Sequence, residues 1–368
     1  MTFPSGLLIR EHVPLASYTT LRIGGPARYL AEVASEDQML EALELARRNS
    51  WPLFVLGGGS NILVSDSGFP GLVIHVALGG IRILEPDGES AIGVAAGENW
   101  DEFVKWCVER DLAGIECLSG IPGTAGGTPI QNVGAYGAQI SDTAQSVRVL
   151  DRIDLSVCEL SAAECLFGYR TSIFNTSHRD RYIILRVTFA LKPAGGPRLD
   201  HPDLKRHFAV RTQPPSLAEL RELVLRIRAG KGMILVAEDP DSMSAGSFFR
   251  NPIVSTDSAR AVEESARKRG LLQPQSGMVR FEVEGGKVKL PAAWLIEGAG
   301  FHRGYARGAV GLSSKHALAI INRGGARASE VLDLMREIQT AVRRVFGVDL
   351  QPEPNFVGFP DSPRQPAF

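Results

Sequence analysis

The sequence is poor in cysteine and has no long apolar run. Its four cysteines, Cys107, Cys117, Cys158 and Cys165, lie apart and form no Cys-x-x-Cys pair. Scattered thiols of this kind are typical of a reduced, cytoplasmic protein and argue against a metal site. No stretch is apolar over the length of a bilayer, and residues 1–10 lack the pattern of a signal peptide. We therefore expect a cytoplasmic protein that binds neither a membrane nor a metal.

Net charge is also nearly absent. The 368 residues carry a formal net charge of −1, and 44% of them are hydrophobic. Nucleic-acid binding usually requires a strongly basic surface, so we expect no nucleic-acid partner. The length and composition are those of a globular protein with two or three domains.

The two common nucleotide-binding signatures, GxGxxG and GxxxxGK[ST], are missing from the glycine-rich segments, so neither a Rossmann site nor a P-loop is expected. Instead, the segment from Glu116 to Ile140 holds six glycines between Gly120 and Gly137. This composition excludes an ordinary helix or strand and predicts a folded loop whose backbone N–H groups bind a phosphate. The alternative is a solvated surface loop, which the apolar Ile121 and Ile130 disfavour.

Polar side chains in this loop suit a planar heterocycle. The hydroxyls belong to Ser119, Thr124 and Thr128, and the amides to Gln131 and Asn132. A second glycine loop, Gly57–Asn61, lies between two apolar segments. Two such loops can hold the two halves of a diphosphate. The alternative for Gly57–Asn61 is a tight connection between strands.

Three side chains are candidates for chemistry. Arg170 follows Tyr169 in an apolar context, so its guanidinium needs a carboxylate or an anionic ligand. Ser247 lies between Gly246 and Phe248, a setting that suits a proton donor in a dry pocket. Glu353 stands between two prolines, which fix the direction of its carboxylate, although a surface turn is the alternative.

Periodicity predicts the main elements. Amphipathic patterns predict helices at 36–49, 99–111, 216–229, 256–269, 292–297 and 329–346. Strict alternation predicts a strand at 182–191, and another strand is expected near 348–358. The segment from Ala194 to Pro215 is interpreted as a polar linker.

Seven segments of the sequence, taken in chain order, resemble motifs of the UDP-N-acetylenolpyruvoylglucosamine reductase family. Members of this family are flavoenzymes that complete UDP-N-acetylmuramate for bacterial peptidoglycan. The resemblance runs from about Tyr18 to Gly358. Its motifs are Thr20–Pro26, Gly57–Asn61, Gly120–Gly137, Phe167–Arg170, Ala245–Pro252, Ala293–Glu297 and Pro352–Pro354.

The resemblance implies an α+β fold. A two-lobed FAD-binding domain of the PCMH or vanillyl-alcohol-oxidase type occupies residues 1–77 and 78–214. A C-terminal α+β substrate-binding domain occupies 215–358, and 359–368 form a tail. It also implies an enzyme that uses FAD and NADPH to reduce UDP-N-acetylglucosamine enolpyruvate. Separately, we expect the protein to be a monomer.

The resemblance further assigns site residues. It places catalysis on Arg170, Ser247 and Glu353, with Ser247 as the proton donor, and substrate contacts on Lys231, Asn251 and Arg170. The expected FAD contacts are Gly57, Gly58, Gly59, Ser60, Asn61, Ile62, Leu63, Leu118, Ser119, Ile121, Pro122, Gly123, Thr124, Gly126, Gly127, Gln131, Asn132, Gly134, Tyr136 and Gly137.

The sequence departs from the family pattern at three positions. His201 stands where many relatives have a tyrosine over the substrate, so recognition of the uridine diphosphate is expected to differ. Thr171 replaces a common aspartate, and Arg250 replaces a common lysine.

Two other functions are alternatives. One is an oxidase whose FAD is tethered through a histidine, which is disfavoured because Gly57–Asn61 contains neither His nor Cys. The other is a non-catalytic nucleotide-binding module.

Overall fold

The computed structural model describes residues 4–84, 90–273 and 277–360. The helices are α1 Glu36–Arg48, α2 Trp100–Val108, α3 Pro202–Phe208, α4 Leu217–Gly230, α5 Thr256–Lys268, α6 Ala292–Gly298 and α7 Ala328–Phe346. The strands are β1 Ile9–Pro14, β2 Pro26–Val33, β3 Leu53–Leu56, β4 Ile62–Val64, β5 Phe69–Val76, β6 Ile81–Ile83, β7 Ser90–Ala95, β8 Leu112–Ala113, β9 Gly134–Ala135, β10 Ala138–Gln139, β11 Ala144–Asp151, β12 Val157–Ser161, β13 Tyr182–Pro193, β14 Ile253–Ser255, β15 Phe281–Val283, β16 Lys287–Lys289, β17 Ala306–Arg307, β18 Val310–Leu312, β19 Ile320–Asn322 and β20 Asn355–Val357.

The first two thirds of the chain contain two large sheets and the two-stranded sheet β9-β10. One has the strand order β1-β2-β5-β3, with β2, β5 and β3 parallel. The other has the order β12-β11-β13-β7-β6 and is antiparallel throughout. Side chains from both sheets, from α1 and from α2 share one hydrophobic cluster.

The last third forms a second hydrophobic cluster. Helices α5, α6 and α7 pack with two three-stranded sheets, β14-β16-β15 and β17-β18-β19. It is joined to the first lobe by β20, which pairs in parallel with β4, and by Leu21, Ile23 and Leu63, whose side chains belong to this second cluster. The strand that follows the first glycine loop is therefore hydrogen-bonded to the strand that follows Glu353.

Local sequence signals explain most of the helix bounds. Ser216 and Glu219 form the expected capping box at the start of α4. Gly347 ends α7 with a φ of 67°, a left-handed conformation that suits glycine. The predicted helices and the strand at 182–191 are confirmed to within a few residues.

Two expectations about the chain outside these elements were inaccurate. The segment interpreted as a linker contains helix α3, which begins at Pro202 and buries Leu204 and Phe208. The expected last strand is shorter than its apolar pattern, Asn355–Val357, because Pro352 and Pro354 interrupt it.

The two predicted domain boundaries, at 77/78 and at 214/215, stay predictions. Leu220, Leu223 and Val224 of α4 pack into the cluster of the first two thirds. Of the predicted tail, residues 361–368 lie outside the described part of the chain. Among the described residues, no helix combines the length and the apolarity needed to cross a bilayer.

Candidate active site

A cavity of about 740 Å³ lies where the two glycine loops meet the last third of the chain. This volume is within the roughly 300–1,000 Å³ of small-molecule and cofactor sites. Five segments predicted from the sequence line it together: both glycine loops, Tyr169–Arg170, Ala245–Asn251 and Glu353. The predicted cofactor residues on its wall are Gly57, Gly58, Gly59, Ser60, Asn61, Ile62, Ile121, Pro122, Gly123, Thr124, Gly126, Gly127, Gln131 and Gly134.

The two loops touch each other through glycine. A Cβ atom at Gly58 would lie 2.6 Å from the Cα atom of Gly123, closer than any real contact. Gly123 has a φ of +124°, which L side chains rarely adopt. The glycines are therefore required for the close approach of the two main chains.

An ion pair outside the cavity anchors the second loop. Asp101 Oδ1 accepts a hydrogen bond from the backbone N–H of Gly120 at 2.6 Å. The same carboxylate accepts two hydrogen bonds from Arg221 on α4, at 2.5 and 2.8 Å. Burial raises the pKa of Asp101, but Arg221 and the Gly120 N–H outweigh it and hold the pKa below its usual value. Sequence reasoning missed this anchor, since nothing local relates residues 101 and 221.

We expect Asp101→Ala to lower the free energy of unfolding by about 2–3 kcal/mol, because it leaves Arg221 and the Gly120 N–H without their acceptor. The contribution of Asp101 should be fully present above its unfolded-state pKa of about 3.9 and lost as pH falls through its lower folded-state pKa. Urea unfolding at several pH values measures both effects. Glu102→Ala, at an exposed neighbouring carboxylate, is the control, and an equally small loss in both variants would contradict the anchoring role.

The remaining predicted cofactor residues lie outside the cavity wall. Leu63 and Leu118 are buried in the hydrophobic clusters. The Ser119 hydroxyl donates a hydrogen bond to the carbonyl of Glu116. The Asn132 NH₂ group donates hydrogen bonds to the side-chain oxygens of Gln139 and Ser141 and to the backbone carbonyl of Gly168. Their cofactor contacts stay predictions, as do those of Tyr136, whose ring packs on His201, and Gly137.

Arg170 finds the carboxylate that its apolar context requires. Its Nη2 donates to the carbonyl of Gly134 at 2.8 Å, and its Nε lies 3.4 Å from Oε1 of Glu353. The side chains of Arg170 and Glu353 keep 24% and 13% of their surface exposed. Both remain accessible to a ligand in the cavity.

Backbone hydrogen bonds hold the segment that contains Glu353 against the segment that follows Ser247. Its N–H donates to the carbonyl of Phe248, and Arg250 N–H donates to the carbonyl of Gln351. This short antiparallel contact brings the Ser247 segment beside Glu353. Burial raises the pKa of the Glu353 carboxyl, and Arg170, Arg250 and Gln131 oppose the shift without cancelling it.

Ser247 and Asn251 line the same cavity. The backbone around Ser247 is fixed because Phe248 N–H donates to the carbonyl of Leu318. Asn251 Oδ1 accepts from the N–H of Ala292 at 2.9 Å. Its amide group is therefore oriented by the first turn of α6.

Lys231 lies apart from the cavity wall. Its Nζ is 3.9 Å from Asp203 and 5.7 Å from the ring centre of Tyr136. His201 caps α3 by accepting from the N–H of Asp203, and burial lowers its pKa. The substrate contact predicted for Lys231 stays a prediction.

The cavity is electropositive. Among the described residues that line it, the charged ones are Arg152, Arg170, Arg179, Arg228 and Arg250 against Asp180 and Glu353. Arg228 was not predicted; it is buried and donates to the carbonyl of Met233. An excess of arginine suits an anionic ligand such as a diphosphate.

Comparison with known proteins defines the class. Residues 27–154 match the family model of an FAD binding domain, and residues 239–357 match that of the UDP-N-acetylenolpyruvoylglucosamine reductase C-terminal domain. The predicted fold class is confirmed, and the chain is an FAD-containing oxidoreductase.

Whole-chain relatives narrow this further. The chain is 47% identical to UDP-N-acetylenolpyruvoylglucosamine reductase of Thermobifida fusca over 95% of its own length and 98% of that protein. It is 44% identical to that of Streptomyces coelicolor, over 94% and 89%. The structure of this reductase from Thermus caldophilus superposes with a TM-score of 0.64 at 27% identity, over 95% of this chain and all of that one. The chain belongs to the UDP-N-acetylenolpyruvoylglucosamine reductase family.

Proposed function

We propose that the chain reduces the enolpyruvyl group of UDP-N-acetylglucosamine enolpyruvate with electrons from NADPH, giving UDP-N-acetylmuramate for peptidoglycan synthesis. The observation that carries this proposal is the meeting of Arg170, Ser247 and Glu353 with both glycine loops around one cavity. Membership of the reductase family supplies the substrate and the reductant.

The residues of the cavity fit FAD. At Gly58 and Gly123 the loops present main chain where a Cβ atom would meet the other loop. The wall combines apolar side chains with arginines, as a flavin and its diphosphate require. Gly57–Asn61 contains no His or Cys, so we expect non-covalent binding. Bound FAD supplies a hydride acceptor and donor in contact with both substrates.

Arg170 binds the carboxylate of the enolpyruvyl group. When the double bond is reduced, negative charge develops on this carboxylate and the neighbouring carbon as an enolate. A cation positioned there in a dry site stabilises the transition state by about 3–4 kcal/mol, by analogy with one oxyanion donor. The bond from Arg170 to the Gly134 carbonyl holds the guanidinium in place.

Glu353 donates a hydrogen bond to the enolate, and Ser247 supplies its proton. The raised pKa of Glu353 favours the neutral acid, which donates a hydrogen bond to the enolate. Ser247 delivers the proton to the carbon. A serine is a weak acid, and the enolate with the cation of Arg170 beside it makes the transfer feasible.

The direct test is turnover. Purified protein mixed with NADPH and UDP-N-acetylglucosamine enolpyruvate should consume NADPH and form UDP-N-acetylmuramate in equal amounts. Acid should release the FAD from the protein. NADPH consumption that depends on oxygen rather than on the sugar nucleotide would indicate an oxidase, and a colourless, inactive protein would indicate a binding module.

We expect ping-pong kinetics, because one set of candidate catalytic residues faces one cavity and both substrates must use it in turn. Double-reciprocal plots against NADPH at several concentrations of sugar nucleotide should give parallel lines. Intersecting lines would require both substrates to be bound together.

We place the protein in the cytoplasm as a monomer without nucleic-acid or membrane partners. The four cysteines are unpaired thiols, which supports a reducing compartment.

A further inference from the structure

The amide of Gln131 connects the second glycine loop to Glu353. Gln131 Nε2 donates to Oε1 of Glu353 at 3.2 Å. Gln131 Oε1 accepts from Nδ2 of Asn61, in the first loop, at 3.0 Å. The same Nδ2 lies 3.4 Å from the backbone carbonyl of Glu353. The three residues form a closed ring of contacts.

The donors and acceptors in this ring of hydrogen bonds can be assigned in only one way. A backbone carbonyl only accepts, so the Asn61 group that faces it must be the NH₂. Asn61 then donates to Gln131, whose oxygen must face Asn61. The Gln131 NH₂ consequently faces Oε1 of Glu353. Reversing both amides would place the oxygen of Asn61 against the carbonyl of Glu353.

The ring determines which carboxyl oxygen accepts. Oε1 of Glu353 receives Gln131 and also lies 3.4 Å from Nε of Arg170. An oxygen that accepts one hydrogen bond and also lies beside a guanidinium is a poor place for a proton. We propose that Gln131 is a positioning residue for Glu353: it keeps Oε1 as the acceptor and leaves the acid proton on Oε2, free to be donated to the substrate. This proposal rests on the catalytic role of Glu353 proposed above.

The expected kinetic effect follows from losing this asymmetry. In Gln131→Met, the neutral acid can carry its proton on either oxygen, so a smaller fraction donates productively. Two equally occupied oxygens halve the productive fraction, so we expect the reduced enzyme to react with the enolpyruvyl substrate roughly twofold more slowly, a small part of the 10²–10⁴-fold that a positioned acid contributes. Gln131 also lines the cavity assigned to FAD, so flavin content is measured first and both half-reactions are compared per bound flavin, with the larger loss expected in the reaction with the enolpyruvyl substrate. Gln139→Met, in the same loop but bonded to Asn132 rather than to Glu353, is the matched control.

The pH profile should move in a defined direction. Besides Gln131, the groups around the Glu353 carboxyl are Arg170, Arg250 and Tyr169. The bond from Gln131 lowers the pKa of Glu353, so its removal raises that pKa further. The neutral acid then persists to higher pH, and the alkaline limb of the pH–rate profile shifts to higher pH. A lower rate with an unshifted limb would contradict the proposal.

A spectroscopic measurement tests the proton position without turnover. The carboxyl C=O stretching band of neutral Glu353 is identified by its disappearance in Glu353→Gln. If Oε1 is the carbonyl oxygen, Gln131→Met removes its hydrogen bond and the band moves to higher wavenumber. If the proton is on Oε1 instead, the band stays where it is, and the proposal is overturned.

A second variant and a double mutant separate the possible failures. Asn61→Asp cannot donate to Gln131, so it should shift the band even with Gln131 present, which keeps the test decisive if Gln131→Met fails to fold. In Glu353→Gln, adding Gln131→Met should slow the reaction no further. An equal extra loss would mean that Gln131 acts independently of Glu353. Normal activity in Glu353→Gln alone would instead reject the catalytic role of Glu353.

Discussion

Gly127→Val should give a folded protein that does not retain flavin. A Cβ atom at Gly127 meets no protein atom within 4 Å, and Gly127 lines the cavity. The Cβ atom of a valine there has room within the protein, and its side chain fills space that we assign to FAD. We expect affinity for FAD to fall at least about 100-fold, equivalent to about 2.7 kcal/mol. Flavin absorbance of the purified protein and titration with added FAD measure this loss.

The control for this variant is Gly196→Val. Gly196 is also without a neighbour at its Cβ position, but it lies outside the cavity wall. Gly123→Val is a less specific test, because its φ of +124° and the Ser60 hydroxyl 2.7 Å away would strain the loop itself. Full flavin content in Gly127→Val would show that the cofactor does not occupy this part of the cavity.

The sequence was informative where the signal is local. Periodicity located α7, a capping box located the start of α4, and glycine composition identified both loops. Each of these features depends on residues within a few positions of one another. The approximate bounds of the helices could therefore be predicted without knowing how the chain packs.

The parts that escaped prediction depend on long-range contacts. Whether Asp101 pairs with Arg221 is decided by how α4 packs, and that packing leaves no trace in either segment. The parallel pair β4 and β20 joins residues almost three hundred positions apart. Ser119 and Asn132, expected at the cofactor because their side chains are polar, each make a hydrogen bond within the protein, and their cofactor contacts stay predictions. Composition does not distinguish a polar group that binds a ligand from one that satisfies the backbone.

The second large effect is expected at Ser247. If its hydroxyl protonates the enolate, Ser247→Ala should separate the two half-reactions. Reduction by NADPH needs no proton from this side chain and should stay near the wild-type rate. Reaction of the reduced enzyme with the enolpyruvyl substrate should slow by about 10²-fold or more, the scale of a lost general acid. Stopped-flow absorbance of the flavin measures the two rates separately.

Two further variants identify the cause of such a loss. Ser247→Cys should recover part of the rate, because a thiol also donates and is the stronger acid. Ser244→Ala is the matched control. Ser244 lines the same cavity, and its hydroxyl accepts a hydrogen bond from the N–H of Gly246. We propose no proton transfer for this hydroxyl. If Ser247 only packs beside Phe248, Ser247→Ala would slow both half-reactions alike or neither. An unchanged rate of reaction with the enolpyruvyl substrate would leave Glu353 as the remaining proton donor in contact with Arg170, and the carbon would then have to receive its proton from that acid or from water.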